Sequence, residues 1–340
     1  MEDRLLKNAR IVVEISCRVK ANESVLILTK LREPEGRRWH YSRALGSAAA
    51  ELGAMPVVMD LAHYTLTQSY RDGRILKPLK AAIESADVVI ADNLNYADIL
   101  GDPDMHDLSL TAEQRRVYLQ NNGMEEWEIT PEEVAAIRKR TMWLLALLDS
   151  SEKVHVSSPA GTDFSFGLGQ GANWLPILGI VPLYGEVAVI PQQKSGSGVF
   201  VVDGPTQMDV RTKDELDREP LRITIDAGRV KDISGDPVQT QRLKEFISSG
   251  DPPAETIDEV GIITTSIKAN DKYWWRDGTH HHDTVHIALG NNQRRDTLVH
   301  GPRHMDGEVC RPTISVDGMV IVRDGVFLDD VMALPPATHD

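Results

Sequence analysis

Apolar and polar positions in the first 150 residues alternate between two periods. Leu5, Leu6, Ala9, Val12 and Val13 recur near helical spacing, whereas Val25-Leu26-Ile27-Leu28 is a short unbroken apolar run that reads as a buried strand. The pair then repeats. A helix over about Trp39 to Leu52, closed by Gly53 as a C-cap, precedes the strand Pro56-Val57-Val58-Met59. A further helix, Leu76 to Ser85, leads into Val88-Val89-Ile90-Ala91. Helix–strand alternation with short connections predicts an α/β N-terminal domain with a mostly parallel sheet. In such sheets ligands sit beyond the carboxyl ends of the strands, here near Lys30, Asp60 and Asp92.

Thr130-Pro131-Glu132-Glu133 combines an N-cap, a proline at the first helical position and a capping-box glutamate, so a helix should run from there to about Leu148. Asp149-Ser150-Ser151 is the expected boundary, giving domains 1–150 and 151–340. Beyond it the pattern shifts to period 2 and to turns. Val154-His155-Val156, Val199 to Val202 and Leu221 to Ile225 read as strands, and Gln239 to Ile247 as one helix. Asp317-Gly318 and Asp324-Gly325 are tight-turn signals. The second half is therefore expected to be an α+β domain.

Composition narrows the functional classes. An apolar content of 41% and a charged content of 26% are ordinary for a globular protein, and 340 residues suit two domains. A net charge of −14 argues against nucleic acid, whose phosphates need clustered Lys and Arg. No run of 18 apolar residues predicts a membrane span, and the first twenty residues lack a signal-peptide core. Cys17 and Cys310 are too few and too far apart for a disulfide framework or a thiolate zinc site. A cytoplasmic enzyme with a small-molecule substrate, assembled as a homo-oligomer, is the expectation.

The candidate chemistry lies late in the chain, where six of the eleven histidines fall between His280 and His304. Imidazole with neighbouring carboxylate suits a divalent ion that keeps open coordination positions. Asp306 follows His304 by two residues, so on a strand the two share a face. His286 interrupts the apolar run Thr284 to Gly290 and needs a buried partner there. Alone it reads as a hydrogen-bonded core histidine, but beside a His-x-Asp pair it reads as a metal ligand. His280-His281-His282 cannot all face one centre. Glu186 and Glu259 border apolar strands, where each alone reads as a strand-end carboxylate facing water.

Taken together, these blocks resemble those of the aminopeptidase T (thermophilic-type metalloaminopeptidase) family. The resemblance rests on Gly185-Glu186-Val187, Glu259 before Val260-Gly261-Ile262, His286 in His-Ile-Ala-Leu-Gly, His304-Met305-Asp306-Gly307 and the two terminal Asp-Gly hairpins. That family is similar in turn to the 2,5-dihydroxypyridine 5,6-dioxygenases, whose two His and one Asp would correspond to His286, His304 and Asp306. At Gln293 the aminopeptidases carry a catalytic Tyr; without it an oxyanion donor is missing. The stretch from His286 to His304 is also short for a peptidase, and the chain length is nearer to the dioxygenases.

The resemblance implies a metal centre of His286, His304 and Asp306, with Glu186 and Glu259 as further metal-binding carboxylates. The expected activity is Fe(II)-dependent, O₂-driven opening of a hydroxylated aromatic or N-heteroaromatic ring. His280 or His282 would be the proton relay and Glu259 a catalytic carboxylate. The alternative is a dinuclear metallohydrolase of peptides or small amides, holding two ions of Zn, Co or Mn. N-domain loops bearing Tyr64, Tyr96 and His106, together with Trp274-Trp275, would line a substrate pocket between the domains.

Overall fold

The structure is a computed structural model that describes residues 2–29, 37–61, 77–92, 115–119, 124–170, 172–177, 185–206, 209–249, 254–265, 283–290 and 304–333. These residues fall into two compact units: the first takes in the chain up to Ala136, and the second starts at Ile137.

In the first unit α1 (Glu2–Ile11) runs into a π-helical turn at Val12–Ser16. Strands β1 (Ser24–Thr29), β2 (Met55–Asp60), β3 (Val88–Asp92) and β4 (Arg115–Leu119) form one sheet in the order β2-β1-β3-β4, and all three pairings are parallel. Helices α2 (Arg37–Glu51) and α3 (Lys77–Ser85) are the connections the apolar periodicity predicts. β1 and β3 are buried because they are flanked by strands on both sides. β2 is an edge, and its Met55 and Val57 are exposed. The strand order reverses between β1 and β3. At their carboxyl ends Ser42 Oγ donates to Asp92 Oδ2 at 3.2 Å and Thr29 Oγ1 to the same oxygen at 3.5 Å. Lys30, the other loop position expected there, lies outside the described residues.

α4 (Pro131–Leu148) begins as the sequence predicts: Thr130 N donates to Glu133 Oε2 at 2.9 Å, and Glu133 N to Thr130 Oγ1 at 3.2 Å. The unit boundary, however, comes before the helix ends rather than at residues 149–151. Leu144, Leu147 and Leu148 belong to the second unit's apolar core, and that packing assigns the helix's last turns to it.

The second unit holds two antiparallel sheets. The larger has the order β11-β10-β9-β6-β5-β15-β16-β17 and is made of β5 (Lys153–Ser157), β6 (Asp163–Gly167), β9 (Ser197–Val202), β10 (Leu221–Asp226), β11 (Arg229–Ser234), β15 (Thr313–Val316), β16 (Met319–Arg323) and β17 (Val326–Phe327). The smaller has the order β14-β13-β12-β8-β7 and is made of β7 (Asn173–Ile177), β8 (Glu186–Ile190), β12 (Ile257–Ile263), β13 (Thr284–Gly290) and β14 (His304–Cys310). Their facing apolar side chains form one core. Val156, Phe164, Phe200 and Ile223 come from the larger sheet, and Val189, Val260, Ile287 and Val309 from the smaller.

Helix α5 (Pro237–Ser248) is capped by Asp236, which accepts from Val238 N and Gln239 N at 3.0 Å, and buries Leu243 and Phe246. Both Asp-Gly signals are tight turns with positive φ at each central residue, Asp317 at 48° and Gly318 at 83°, Asp324 at 48° and Gly325 at 79°. No helix among the described residues is long and apolar enough to cross a membrane.

Candidate metal centre

Strand alternation gives the smaller sheet two unlike faces. On β8, Val187 and Val189 enter the apolar core, so Glu186, Ala188 and Ile190 point the other way. On β13, Val285, Ile287 and Leu289 are core residues, which leaves Thr284, His286, Ala288 and Gly290 on the opposite face. On β14 the same rule pairs Met305 and Val309 with the core and puts His304, Asp306 and Glu308 opposite. Register then aligns the rows: Gly261 pairs with both Ala188 and His286, and Ala288 with Asp306.

One departure from alternation matters. Ile257 pairs with Leu289 and Glu259 with Ala288, so β12 has one residue more than its partner at Asp258. This is a β-bulge, and it lets two consecutive residues face the same side. Asp258 and Glu259 are both buried, at 1% and 3% exposure, and both reach histidines of this face.

The donors converge closely. His286 Nε2 lies 3.4 Å from Glu186 Oε1, 3.6 Å from Glu259 Oε1 and 4.0 Å from Asp306 Oδ1. Asp306 Oδ1 is in turn 2.9 Å from His304 Nε2, and His304 Nδ1 is 3.0 Å from Asp258 Oδ2. Glu186, Glu259, His286 and Asp306 are all buried, while the His304 side chain is one-third exposed at 33%. Space for this cluster is made by Gly261, at the middle of β12. A Cβ there would fall on the His286 ring and 2.5 Å from Glu186 Oε1.

Electrostatics follow from crowding acids around two imidazoles. Burial opposes charge on His304, but Asp306 and Asp258 outweigh it and hold its pKa well above the ordinary imidazole range. Burial pushes the Asp258 carboxyl up, and the neighbouring His304 offsets part of that rise.

The arrangement fits a divalent cation. Ligand atoms placed about 2.0–2.2 Å from one ion stand roughly 3–4 Å apart, and nitrogen with carboxylate oxygen is a suitable donor set. One donor atom each of Glu186, Glu259 and His286 lie within 4.8 Å of one another, and the Gly261 cradle keeps the space between them clear. A cation would also offset the excess of buried acid.

All five residues expected from the sequence to hold metal, His286, His304, Asp306, Glu186 and Glu259, thus lie on one face of one sheet. Glu186 and Glu259 do not face water as strand-end residues would; they stand against His286. His280, His282, Gln293, Tyr64, Tyr96, His106, Trp274 and Trp275 lie outside the described residues. Asp258 was not foreseen, because strict alternation would have sent it to the other face.

A mixed α/β chain with a buried histidine–carboxylate face has a donor set that could hold a divalent metal ion. Residues 10–329 match the sequence profile of the NicX family, 2,5-dihydroxypyridine 5,6-dioxygenase, and the chain belongs to that family; it is a ring-cleaving dioxygenase. The structure is similar to that of 2,5-dihydroxypyridine dioxygenase from Pseudomonas putida KT2440, with a TM-score of 0.69 and 19% identity over 98% of this chain and 99% of that one. It is similar also to wild-type AmpT from Thermus thermophilus, with a TM-score of 0.61 and 15% identity over 96% and 99%. At these identities the two likenesses establish a shared fold. No curated protein matches the chain in sequence. The family match favours the dioxygenase over the hydrolase alternative.

Proposed function

We propose that the chain opens a hydroxylated N-heteroaromatic ring, such as a dihydroxypyridine, at one Fe(II) held by His286, His304 and Asp306. The observation that carries this reading is the convergence of two imidazoles and buried carboxylates on one sheet face in a chain of the NicX family. Two His and one carboxylate leave coordination positions open, and bound iron would supply a redox-active Lewis acid to which substrate donors and O₂ have common access.

The chain's own residues supply the rest. Glu186 Oε1 and Glu259 Oε1, both beside His286, are bases that can take the proton a ring hydroxyl loses on binding. Their burial keeps bulk water from competing for that proton. Gly261, having no side chain, lets the His286 ring lie directly against the β12 backbone, which fixes where that imidazole stands. We propose further that the acidic chain works as a cytoplasmic homo-oligomer; its net charge of −14 favours solubility.

The test is oxygen uptake by anaerobically purified, Fe(II)-loaded protein with a panel of dihydroxylated pyridines and benzenes, alongside metal analysis. One iron per chain and ring-dependent O₂ consumption are expected. Two zinc, cobalt or manganese ions per chain, with cleavage of aminoacyl-amides and no O₂ uptake, would overturn the proposal.

A further inference from the structure

We infer that Asp258 is a positioning residue for His304: it holds the imidazole proton on Nδ1 and so keeps Nε2 free to act as a donor toward the site. The inference rests on the metal reading above and deepens it by assigning a residue that the ligand set leaves out. Three observations carry it. The β-bulge places Asp258 on the same side as Glu259, where an unbroken strand would have turned it into the apolar core. Asp258 Oδ2 stands 3.0 Å from His304 Nδ1, while Nε2, on the far edge of the ring, stands 2.9 Å from Asp306 Oδ1. The Asp258 side chain is fully buried, at 0% exposure, so water cannot substitute for it as acceptor.

With an ion bound in place of the Nε2 proton, the imidazole is neutral and its two nitrogens are inequivalent. An ion can take only a nitrogen lone pair, and the proton must then sit on the other nitrogen. A carboxylate fixed at Nδ1 favours the Nδ1–H tautomer, fixes the ring plane and makes Nε2 a better donor. Asp306 cannot do this, because it faces Nε2. His304 is the most exposed member of the cluster, with the most freedom to turn away, and so it has the greatest need of an orienting partner.

The test uses the full chain with Zn(II) as a diamagnetic probe. Zn(II) affinity is measured by chelator competition for wild type, Asp258→Leu and Asp258→Asn, with melting temperature recorded for each metal-free protein. Loss of the acceptor in Asp258→Leu should weaken Zn(II) binding about 10- to 100-fold. Asp258→Asn, whose amide oxygen can still accept from Nδ1–H, should recover most of it. In zinc-loaded wild type, ¹⁵N–¹H correlation spectra should show His304 protonated at Nδ1. That readout holds even if a variant fails to fold. A folded Asp258→Leu protein binding Zn(II) within twofold of wild type, or a wild-type His304 protonated at Nε2, would overturn the inference and leave the metal reading standing. Wild type that binds no ion would instead overturn the metal reading, and this inference with it.

Discussion

Replacing Gly261 with alanine should empty the metal centre while leaving the chain folded. The added methyl would occupy the His286 ring position and approach Glu186 Oε1 to 2.5 Å. β12 cannot bend aside, since it is hydrogen-bonded to β8 on one edge and to β13 on the other at this residue. The side chains must therefore move, and His286 is the first obstacle. Overpacking of this kind costs about 1–3 kcal/mol, equivalent to a fall of roughly 2–12 °C in Tm for a unit of this size. Displacing one imidazole from the donor set should weaken divalent-ion binding about 100-fold, corresponding to about 3 kcal/mol. Gly318→Ala is the matched control. Gly318 has a φ of 83° and nothing within 4 Å of the place an added methyl would take, so the substitution should cost about 1–2 kcal/mol in stability without touching the site. Chelator competition and calorimetric melting on both variants decide the matter. A Gly261→Ala protein with wild-type ion affinity would refute the steric argument.

His304→Ala should lose most bound metal and all ring-dependent oxygen uptake, read by metal analysis on protein purified without oxygen; full occupancy would remove His304 from the ligand set. Thr130→Ala should cost about 1 kcal/mol in denaturant titration by removing the cap of α4. Asp329 is held below the usual carboxylate range chiefly by its hydrogen bond from Arg140, whose Nε lies 2.6 Å away. A depressed folded-state pKa gives stability that is present above about pH 4 and lost as pH falls through that lower value. Because Asp329 is 56% exposed, the contribution should stay below about 1 kcal/mol, and Asp329→Asn should remove that part of the acid dependence of Tm.

Much of the fold could be read from residue order because the relevant forces are local. Thr130, Pro131 and Glu133 specify the start of α4 within one turn, and each Asp-Gly pair specifies its own hairpin. A third such turn, at Ala227-Gly228 between β10 and β11, was not legible: alanine seldom takes positive φ, yet Ala227 has φ 49°. The site was legible in part. His304 and Asp306 share a strand, so their common face follows from spacing alone. The approach of Glu186 to His286 depends on β8 and β13 both flanking β12, a long-range register that no local pattern encodes. Asp258 was the least visible, because a bulge reverses the side a residue faces without changing the letters around it.

The strand order β14-β13-β12-β8-β7 also governs when the centre can exist during synthesis. Glu186 is made early, but its partners arrive on three later strands, and His304 and Asp306 come on the last of them. At about 5–20 residues per second, a ribosome takes roughly 6–24 s to pass from β8 to β14. Until then β13 has an open edge, and Asp258 lacks its His304 partner. A nascent chain stalled short of residue 304 lacks the His304 and Asp306 donors and should therefore hold an ion more weakly than the finished chain.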